Sequence, residues 1–595
     1  MAYAFILSLT PAQIQQRRKQ LDQAGYYAWL TPIILVLAVY LYRKATSILT
    51  SLPASSSSNP AVARAAPSQV QIITRRISWI LGTTYIPEFG PLHVQLTGLI
   101  YTVWLLYLVF HNTGEDYMHL TKAFGHVAVS QLPVHYLLSF KTPLSPITLA
   151  TGLTHEKLNP YHRLLGRVIH FLLSAHAVMY IRFFIQLDAL TKRIKDRDVR
   201  LGLAAFWAFN LLGLLAVPPV RRKVYHAAFY RSHVLLSALV LPALFFHVPY
   251  TRKYILQAGL FWVVGGMTRG KATAPARMRT RQVHGTNLVE VKLTMDKARS
   301  NRSSVHGAVP GSHVYIQSRA FGPKSPFTVL NVGIASSSSY EEPKEELTLI
   351  VRNLGGPQTR FLAQSSAEKR ELEVFVEGCY GECNDYLPRI LYHPSASSFP
   401  PGASVASTHP ILLVAGGIGA TFALPIYLEL LDMRGGSTGV KFIWLVRTLD
   451  DARWGIALLE DPRRESEVAV DVDIYVTTIS RKSSEGSSPS SYSSSRRGLT
   501  IHNSSSRPSL STIIGPVLQA SSTRSSSPIP PLISSSSRRS PDPRKRARYY
   551  DAKLTVLSCG PPSLVRDLRS EVGRHVAMYG REVEWHEEVF GFGGS

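Results

Sequence analysis

The sequence predicts two halves of different fold class. The first is a multi-pass α-helical membrane domain; the second pairs a small antiparallel β-barrel with an α/β doubly wound domain. Three observations carry this. Apolar stretches of helical length recur from Tyr27 to Met267 and then cease. From about residue 272, short alternating or β-branched runs sit between Gly, Pro and Ser clusters. After Pro410 the pattern becomes strand, glycine turn, helix, strand, the signature of a βαβ unit.

Taken in order, the apolar spans are Tyr27–Tyr42, Leu92–His111, Phe124–Phe140 with Pro133 as a kink, His162–Ile185, Leu201–Val217, Tyr225–Val248 and a weaker Ile255–Met267. Between the first two lies Ser55-Ser56-Ser57-Ser58, which reads as a flexible loop. The basic loops 43–76, 141–157 and 221–223 fall on the side of the soluble half, as the positive-inside tendency requires, and seven spans leave the N-terminus outside. Arg17-Arg18-Lys19 and the loop 192–200 run against that count, and six spans are the alternative. No cleaved signal peptide is expected, because no apolar h-region with a small-residue cleavage site opens the chain.

In the soluble half, Val289–Leu293, Val314–Ile316, Phe327–Val332, Leu347–Val351 and Leu372–Val376 read as barrel strands. Ile411–Ala415, Phe422–Leu431 and Lys441–Val446 form the βαβ unit, and order resumes at Leu554–Leu557, a helix Pro562–His575 and a strand near Val583. The domains are then 1–89, an N-terminal region; 90–270, the membrane domain; 271–405, the barrel; and 406–595, the α/β domain with a Ser/Arg-rich disordered insert at about 479–547.

The formal charge of +26 over 595 residues does not mark a nucleic-acid binder, because the basic residues are scattered and many abut apolar spans. The three cysteines, Cys379, Cys383 and Cys559, exclude a disulfide scaffold and suit a reducing compartment for the second half.

Two histidine pairs stand out. His162 and His176, and again His233 and His247, are each separated by thirteen residues. Fourteen steps at 3.6 residues per turn are almost four turns, so the members of a pair share a helix face, roughly 21 Å apart. Ionisable residues inside a membrane need a partner, and neutral imidazole is an axial ligand of haem iron. The pattern predicts two stacked b-type haems, His162 with His233 and His176 with His247, whose iron is the metal bound. His170 and His226 remain as spare histidines, with His170 the rival ligand. Arg163, Arg167 and Arg231 suit haem propionates or snorkelling.

The soluble half adds binding signatures. Gly311-Ser312-His313-Val314 precedes Pro326-Phe327-Thr328, an aromatic and a hydroxyl that suit a flat ring system. Arg352, Gly356 and Thr359 suit a phosphate-holding loop. Gly416, Gly417, Gly419 and Thr421 lie between a strand and a helix, where the backbone can approach a pyrophosphate. Arg447 follows the next strand, where a 2′-phosphate would favour NADPH over NADH. Cys559-Gly560-Pro561 follows the last core strand, and Phe590 is placed to lie against a ring.

In this order the motifs resemble the ferric reductase / NADPH oxidase family of transmembrane flavocytochromes b, most of all the fungal ferric-chelate reductases. The resemblance covers roughly residues 90–592. It rests on the two histidine pairs, Gly125 with Pro133, HRLLGR at 162–167, PGSHVYI at 310–316, SPFTV, VEGCYG at 376–381, LLVAGGIGAT at 412–421, SCGPPSLV at 558–565 and HEEVFGF. It implies two haems, an FAD barrel and an NADPH domain, together a ferredoxin-reductase-like module behind a haem domain. By position, Pro326, Phe327 and Thr328 would meet FAD, with His313, Arg352, Gly356 and Thr359 around it. Gly416, Gly417, Gly419, Thr421, Arg447, Cys559, Gly560, Pro561 and Phe590 would surround NADPH. The chain departs from the family at Ser325, where H-P-F-T has histidine, and at Cys379, where E-G-P-Y-G has proline. It departs again in the insert and in Gly593-Gly594-Ser595.

The resemblance implies electron transfer from cytosolic NADPH through FAD and two haems to an acceptor across the bilayer. That acceptor is a ferric or cupric chelate in a metalloreductase, or O₂ in a superoxide-generating oxidase. Tyr180, where oxidases of the family often carry a further histidine, favours the metal. A degenerate, non-catalytic membrane interaction protein is the third reading. The expected location is the plasma membrane with the soluble half cytosolic.

Overall fold

The computed structural model describes residues 3–51, 68–87, 89–223, 226–296, 309–318, 324–335, 344–368, 371–391, 410–434, 439–461, 469–477, 498–504, 506–520 and 553–588. It divides into two compact units, 1–58 with 84–271, and 59–83 with 272–595.

The first unit is helical apart from a short hairpin, β1 (Tyr85–Ile86) with β2 (Gly90–Pro91). Helix α1 runs Pro11–Ser51, far beyond the short span expected. It starts early because Thr10 and Gln13 cap each other reciprocally. In the second unit, helix α2 (Gln69–Thr83) starts the same way at Ser68 and Gln71. The membrane unit continues with α3 (Leu92–Phe110), α4 (Tyr117–Ser130), α5 (Leu132–Leu137), α6 (Pro146–Thr151), α7 (His155–Gln186), α8 (Leu190–Arg193), α9 (Arg197–Ala216), α10 (Pro218–Lys223), α11 (His226–His247) and α12 (Arg252–Lys271). Among the described residues, five helices are long and apolar enough to cross a membrane: α1, α3, α7, α9 and α11. The chain is a multi-pass membrane protein.

Pro133 does not kink a continuous helix as expected. Helix α4 ends at Ser130, and Pro133 sits in the first turn of α5, where its missing N–H costs nothing. The break is filled by Gln131, whose amide donates to the Ala28 carbonyl at 2.8 Å and whose oxygen accepts from Tyr101. Arg17 and Arg18, which ran against the topology count, are accommodated. Arg17 pairs with Asp116, the residue that caps α4, and Arg18 lies over the Tyr250 ring. In the loop 192–200, Arg193 pairs with Asp196 and lies 3.6 Å from Asp198.

The second unit begins with a seven-stranded antiparallel sheet of order β6-β5-β9-β3-β4-β8-β7. Its strands are β3 (Thr273–Gln282), β4 (Leu288–Asp296), β5 (His313–Gln317), β6 (Lys324–Thr328), β7 (Asn331–Ala335), β8 (Lys344–Arg352) and β9 (Leu372–Tyr380). They wrap a core that includes Met278, Val291, Leu293, Val314, Ile316, Leu349 and Val376. The run expected as one strand, Phe327–Val332, is two strands at opposite ends of the sheet, because Val329 N–H bonds Ser312 while Leu330 N–H bonds Thr348. Strand β3 was hidden by its arginines; Ala274, Ala276 and Met278 point inward while Arg277 and Arg279 alternate outward. Helices α13 (Pro357–Glu368) and α14 (Cys383–Leu391) follow β8 and β9.

The α/β domain is a six-stranded parallel sheet of order β13-β12-β11-β10-β14-β15. It comprises β10 (Ile411–Gly416), α15 (Ala420–Arg434), β11 (Val440–Val446), α16 (Arg453–Leu459), β12 (Val472–Val476), β13 (Leu499–Asn503), α17 (Leu510–Ala520), β14 (Leu554–Cys559), α18 (Pro562–Tyr579) and β15 (Val583–Glu588). Here the expected disordered insert needs correction. Residues 499–503 pair in parallel with β12, and Ile514 and Leu518 of α17 are fully buried. Serine-rich composition masked two apolar segments that the sheet requires. Most of the remaining insert lies outside the described residues, as does the serine loop at 55–58.

Candidate functional site

The four paired histidines lie on α7 and α11. His162 and His233 face each other with ring centroids 6.4 Å apart at 72°. Two imidazoles bonded to one metal through nitrogens at about 2 Å would stand roughly 6 Å apart, so this gap suits a shared iron. His176 and His247 are the corresponding residues fourteen positions further along the same two helices.

Three of the four rings are held the same way. Nδ1 of His162 bonds the His135 carbonyl at 3.0 Å, that of His176 the Thr121 carbonyl at 2.8 Å, and that of His247 the Asp198 carbonyl at 2.7 Å. An Nδ1–H donated to a carbonyl selects the tautomer with an unprotonated Nε2, the form that ligates metal. His233 Nδ1 is buried with no hydrogen-bond partner among the described residues. Glycines make room for the outer rings. A Cβ on Gly125 of α4 would lie 2.7 Å from His176, and one on Gly202 of α9 would lie 2.6 Å from His247. The residues would fit two haems held by paired histidines.

His170 packs elsewhere, against Gly213 of α9, where a Cβ would come within 2.5 Å of its ring. Eight steps along a helix turn it about 80° away from His162. The His226 side chain lies outside those described. Arg167 lies over the Phe89 ring.

In the barrel, β5 and β6 pair His313 with Thr328, Val314 with Phe327, Tyr315 with Pro326 and Ile316 with Ser325. Phe327 packs against the barrel core, and Thr328 is buried. His313 is buried between Tyr315 and Tyr380, its Nδ1 3.6 Å from Glu588 at the end of β15. Arg352, at the end of β8, reaches the α/β domain and pairs with Asp451 at 3.2 Å. Beyond it Gly355 turns the chain at φ 76°, and Gly356 and Thr359 open α13, the Thr359 hydroxyl donating to the Gly356 carbonyl at 3.1 Å.

The glycine turn 416–419 is built against a segment 140 positions later in the chain. Ala415 and Cys559 are register partners on β10 and β14. A Cβ on Gly419 would lie 2.3 Å from the Cys559 carbonyl, and one on Gly416 would lie 2.7 Å from Pro561. Gly417 adopts φ 56°, and its carbonyl accepts from the Trp444 indole at 2.9 Å. From β10 the sheet grows one way through β11, β12 and β13, and the other way through β14 and β15. The turn therefore sits at the topological switch point, where open α/β sheets bind nucleotides. Thr421 is buried in the first turn of α15, and Arg447 is exposed just beyond β11. Phe590 lies outside the described residues.

Burial, with the Glu588 carboxylate adding to it, pushes the Cys559 thiol well up. Burial alone is the main cause for Cys379, raised to about 12. Neither is a thiolate nucleophile at neutral pH. Sequence reasoning missed His135, Asp451 and Glu588, each of which touches a predicted residue only across the fold. No local spacing marks them.

Residues 124–244 match the family described as ferric reductase like transmembrane component, and residues 408–573 match the ferric reductase NAD binding domain. A protein of Candida tropicalis named probable metalloreductase AIM14 is 23% identical over 412 residues, 67% of this chain and 65% of its own. A probable ferric reductase transmembrane component of Eremothecium gossypii is 25% identical over 365 residues, 57% of this chain and 48% of its own. Ferric reductase transmembrane component 6 of Saccharomyces cerevisiae is 22% identical over 506 residues, 81% of this chain and 62% of its own. The chain thus spans about half to two-thirds of the length of these relatives. In its membrane part and in its nucleotide domain the chain matches the ferric reductase family.

Proposed function

We propose that the protein carries electrons from NADPH, through FAD and two b-type haems, to a ferric or cupric chelate on the far side of a membrane. The observation that carries this reading is the set of three histidines on α7 and α11 whose Nδ1 atoms bond backbone carbonyls, two of them with rings seated on glycines. When bound, the haems supply one-electron steps and FAD the conversion from a hydride pair to single electrons.

The chain's own residues do the rest. His162 with His233 and His176 with His247 would hold the haems, which would supply one-electron transfer across the membrane. Pro326, Phe327, Thr328 and His313 would border the flavin ring, with Arg352, Gly356 and Thr359 at its diphosphate. The turn Gly416, Gly417, Gly419 with Thr421 would cradle the NADPH pyrophosphate against Gly560 and Pro561, with Arg447 at the 2′-phosphate and Phe590 and Cys559 near the nicotinamide. Tyr180, its ring 5.0 Å from His176, stands one turn beyond the outer ligand and favours a metal chelate over O₂.

The topology we infer has α2 on the same side as the soluble half, since α2 belongs to that unit while α1 and α3, on either side of it, belong to the other. An odd number of spans then leaves the N-terminus on the acceptor side. We assign the soluble half to the cytosol and the membrane to the cell surface.

The test is an absorbance spectrum of the purified full chain before and after NADPH, with flavin extraction. Reduced b-type haem bands and about one FAD per chain are expected. A chain that binds neither would sink the reading and favour a non-catalytic scaffold. In cells, ferric-chelate reduction should persist when superoxide dismutase is added; its disappearance would make the protein an oxidase.

A further inference from the structure

The sequence singles out four histidines, and the fold sets a fifth beside them. His135 follows the α4–α5 break, and its ring lies parallel to that of His162, centroids 4.1 Å apart and planes at 9°. Its carbonyl is also the acceptor for His162 Nδ1 at 3.0 Å. One residue therefore holds His162 twice, once through its backbone and once through its ring.

The two holds do different things. A hydrogen bond to a carbonyl fixes the tautomer and the direction of the N–H, but leaves the imidazole free to swing about that line. A parallel ring at stacking distance removes the swing. The space for that ring is prepared on α7 itself: a Cβ on Gly166, one turn beyond His162, would lie 3.0 Å from His135 Cε1. Nδ1 of His135 is buried and has no hydrogen-bond partner among the described residues. An aliphatic residue would fill the position without leaving a ring nitrogen unpaired, so simple packing does not explain a histidine here.

We propose that His135 is a positioning residue of the haem site formed by His162 and His233, its stacked ring setting the rotation of the His162 imidazole. The inference rests on the haem reading above. It makes the two haem sites unequal: the inner ligand on α7 is locked by a ring, whereas the outer ligand His176 meets Gly125 and the edge of Tyr180.

The experiment is low-temperature electron paramagnetic resonance and a redox titration on the purified full chain and three variants. His135→Leu keeps the backbone carbonyl and loses the ring. The expected result is a shifted and broadened low-spin signal, with a changed midpoint potential, for one haem, while the other haem and the haem-to-protein ratio stay as in wild type. His135→Phe restores a stacking ring and should return the signal toward wild type. Gly166→Ala, which crowds His135 without touching His162, should shift the same haem by less. If His135→Leu gave both signals and both potentials of wild type, the inference would be overturned with the haem reading intact. Equal shifts from His135→Leu and His135→Phe would also overturn it. A wild-type chain lacking b-type haem would overturn both.

Discussion

At the residue scale, histidine spacing proposes ligands, but glycines admit them. Gly125 and Gly202 each leave room that an alanine methyl would fill at 2.7 and 2.6 Å from an imidazole. Gly202→Ala should displace His247, and the expected outcome is a fall of the haem-to-protein ratio from two toward one, read by pyridine haemochrome. An unchanged ratio would mean that His247 does not hold a haem. A second residue-scale effect concerns acid. Glu584 on β15 lies 3.1 Å from His586 and 2.7 Å from Lys553, and these partners, His586 first, hold its carboxyl down to about 2. A folded value below the ordinary value of about 4.3 makes the ionised carboxylate stabilising at higher pH. That stability is present above the ordinary value and is lost as pH falls toward about 2. Between pH 5 and 2, wild type should therefore lose more stability than Glu584→Gln. The neighbouring Trp585 gives a fluorescence readout, and equal acid losses would count against the pairing.

At the element scale, the informative helix is α2. The sequence shows there a basic loop between two spans; the fold makes it a helix docked on the nucleotide domain. Trp79 meets Trp585 edge to face at 5.7 Å and covers Gly573, where a Cβ would lie 2.7 Å from the indole nitrogen. Arg75 bonds the Gly580 carbonyl at 3.1 Å and Glu582 at 2.8 Å, and Arg569 returns a bond to the Thr83 carbonyl at 2.8 Å. Because the Trp79 indole packs on both Trp585 and Gly573, Trp79→Ala should loosen α2. Tryptic cleavage after Arg76 is expected to rise about tenfold, as for a segment whose opening becomes about 1.4 kcal/mol easier. A cleavage rate equal to wild type would show that the docking is not what protects α2. The same scale explains two misread strands: β3 hid behind its outward arginines and β13 behind the serines that flank it, while the buried residues of each alternate along the strand.

At the scale of the whole molecule, the prediction is one of sidedness. The native cysteines described are all buried in the soluble unit, so engineered thiols report cleanly. In intact cells an impermeant maleimide should label Lys195→Cys, in the exposed loop before α9, and should reach Arg281→Cys on β3 only after permeabilisation. The opposite pattern would invert the chain in the membrane and place the NADPH site outside.

The sequence alone determined what short periods and local turns can encode: the division into an apolar and a soluble half, the helices that carry the four histidines, and the glycine turn that opens α15. Those features depend on neighbours within a few residues, so their signal is contiguous. Only the tertiary structure decided which residues share a site. It brought Cys559 beside Gly419, set Asp451 on Arg352 and Glu588 near His313, turned His170 onto α9, and laid His135 on His162. Such pairings are made by packing between elements far apart in the chain, where no spacing records them.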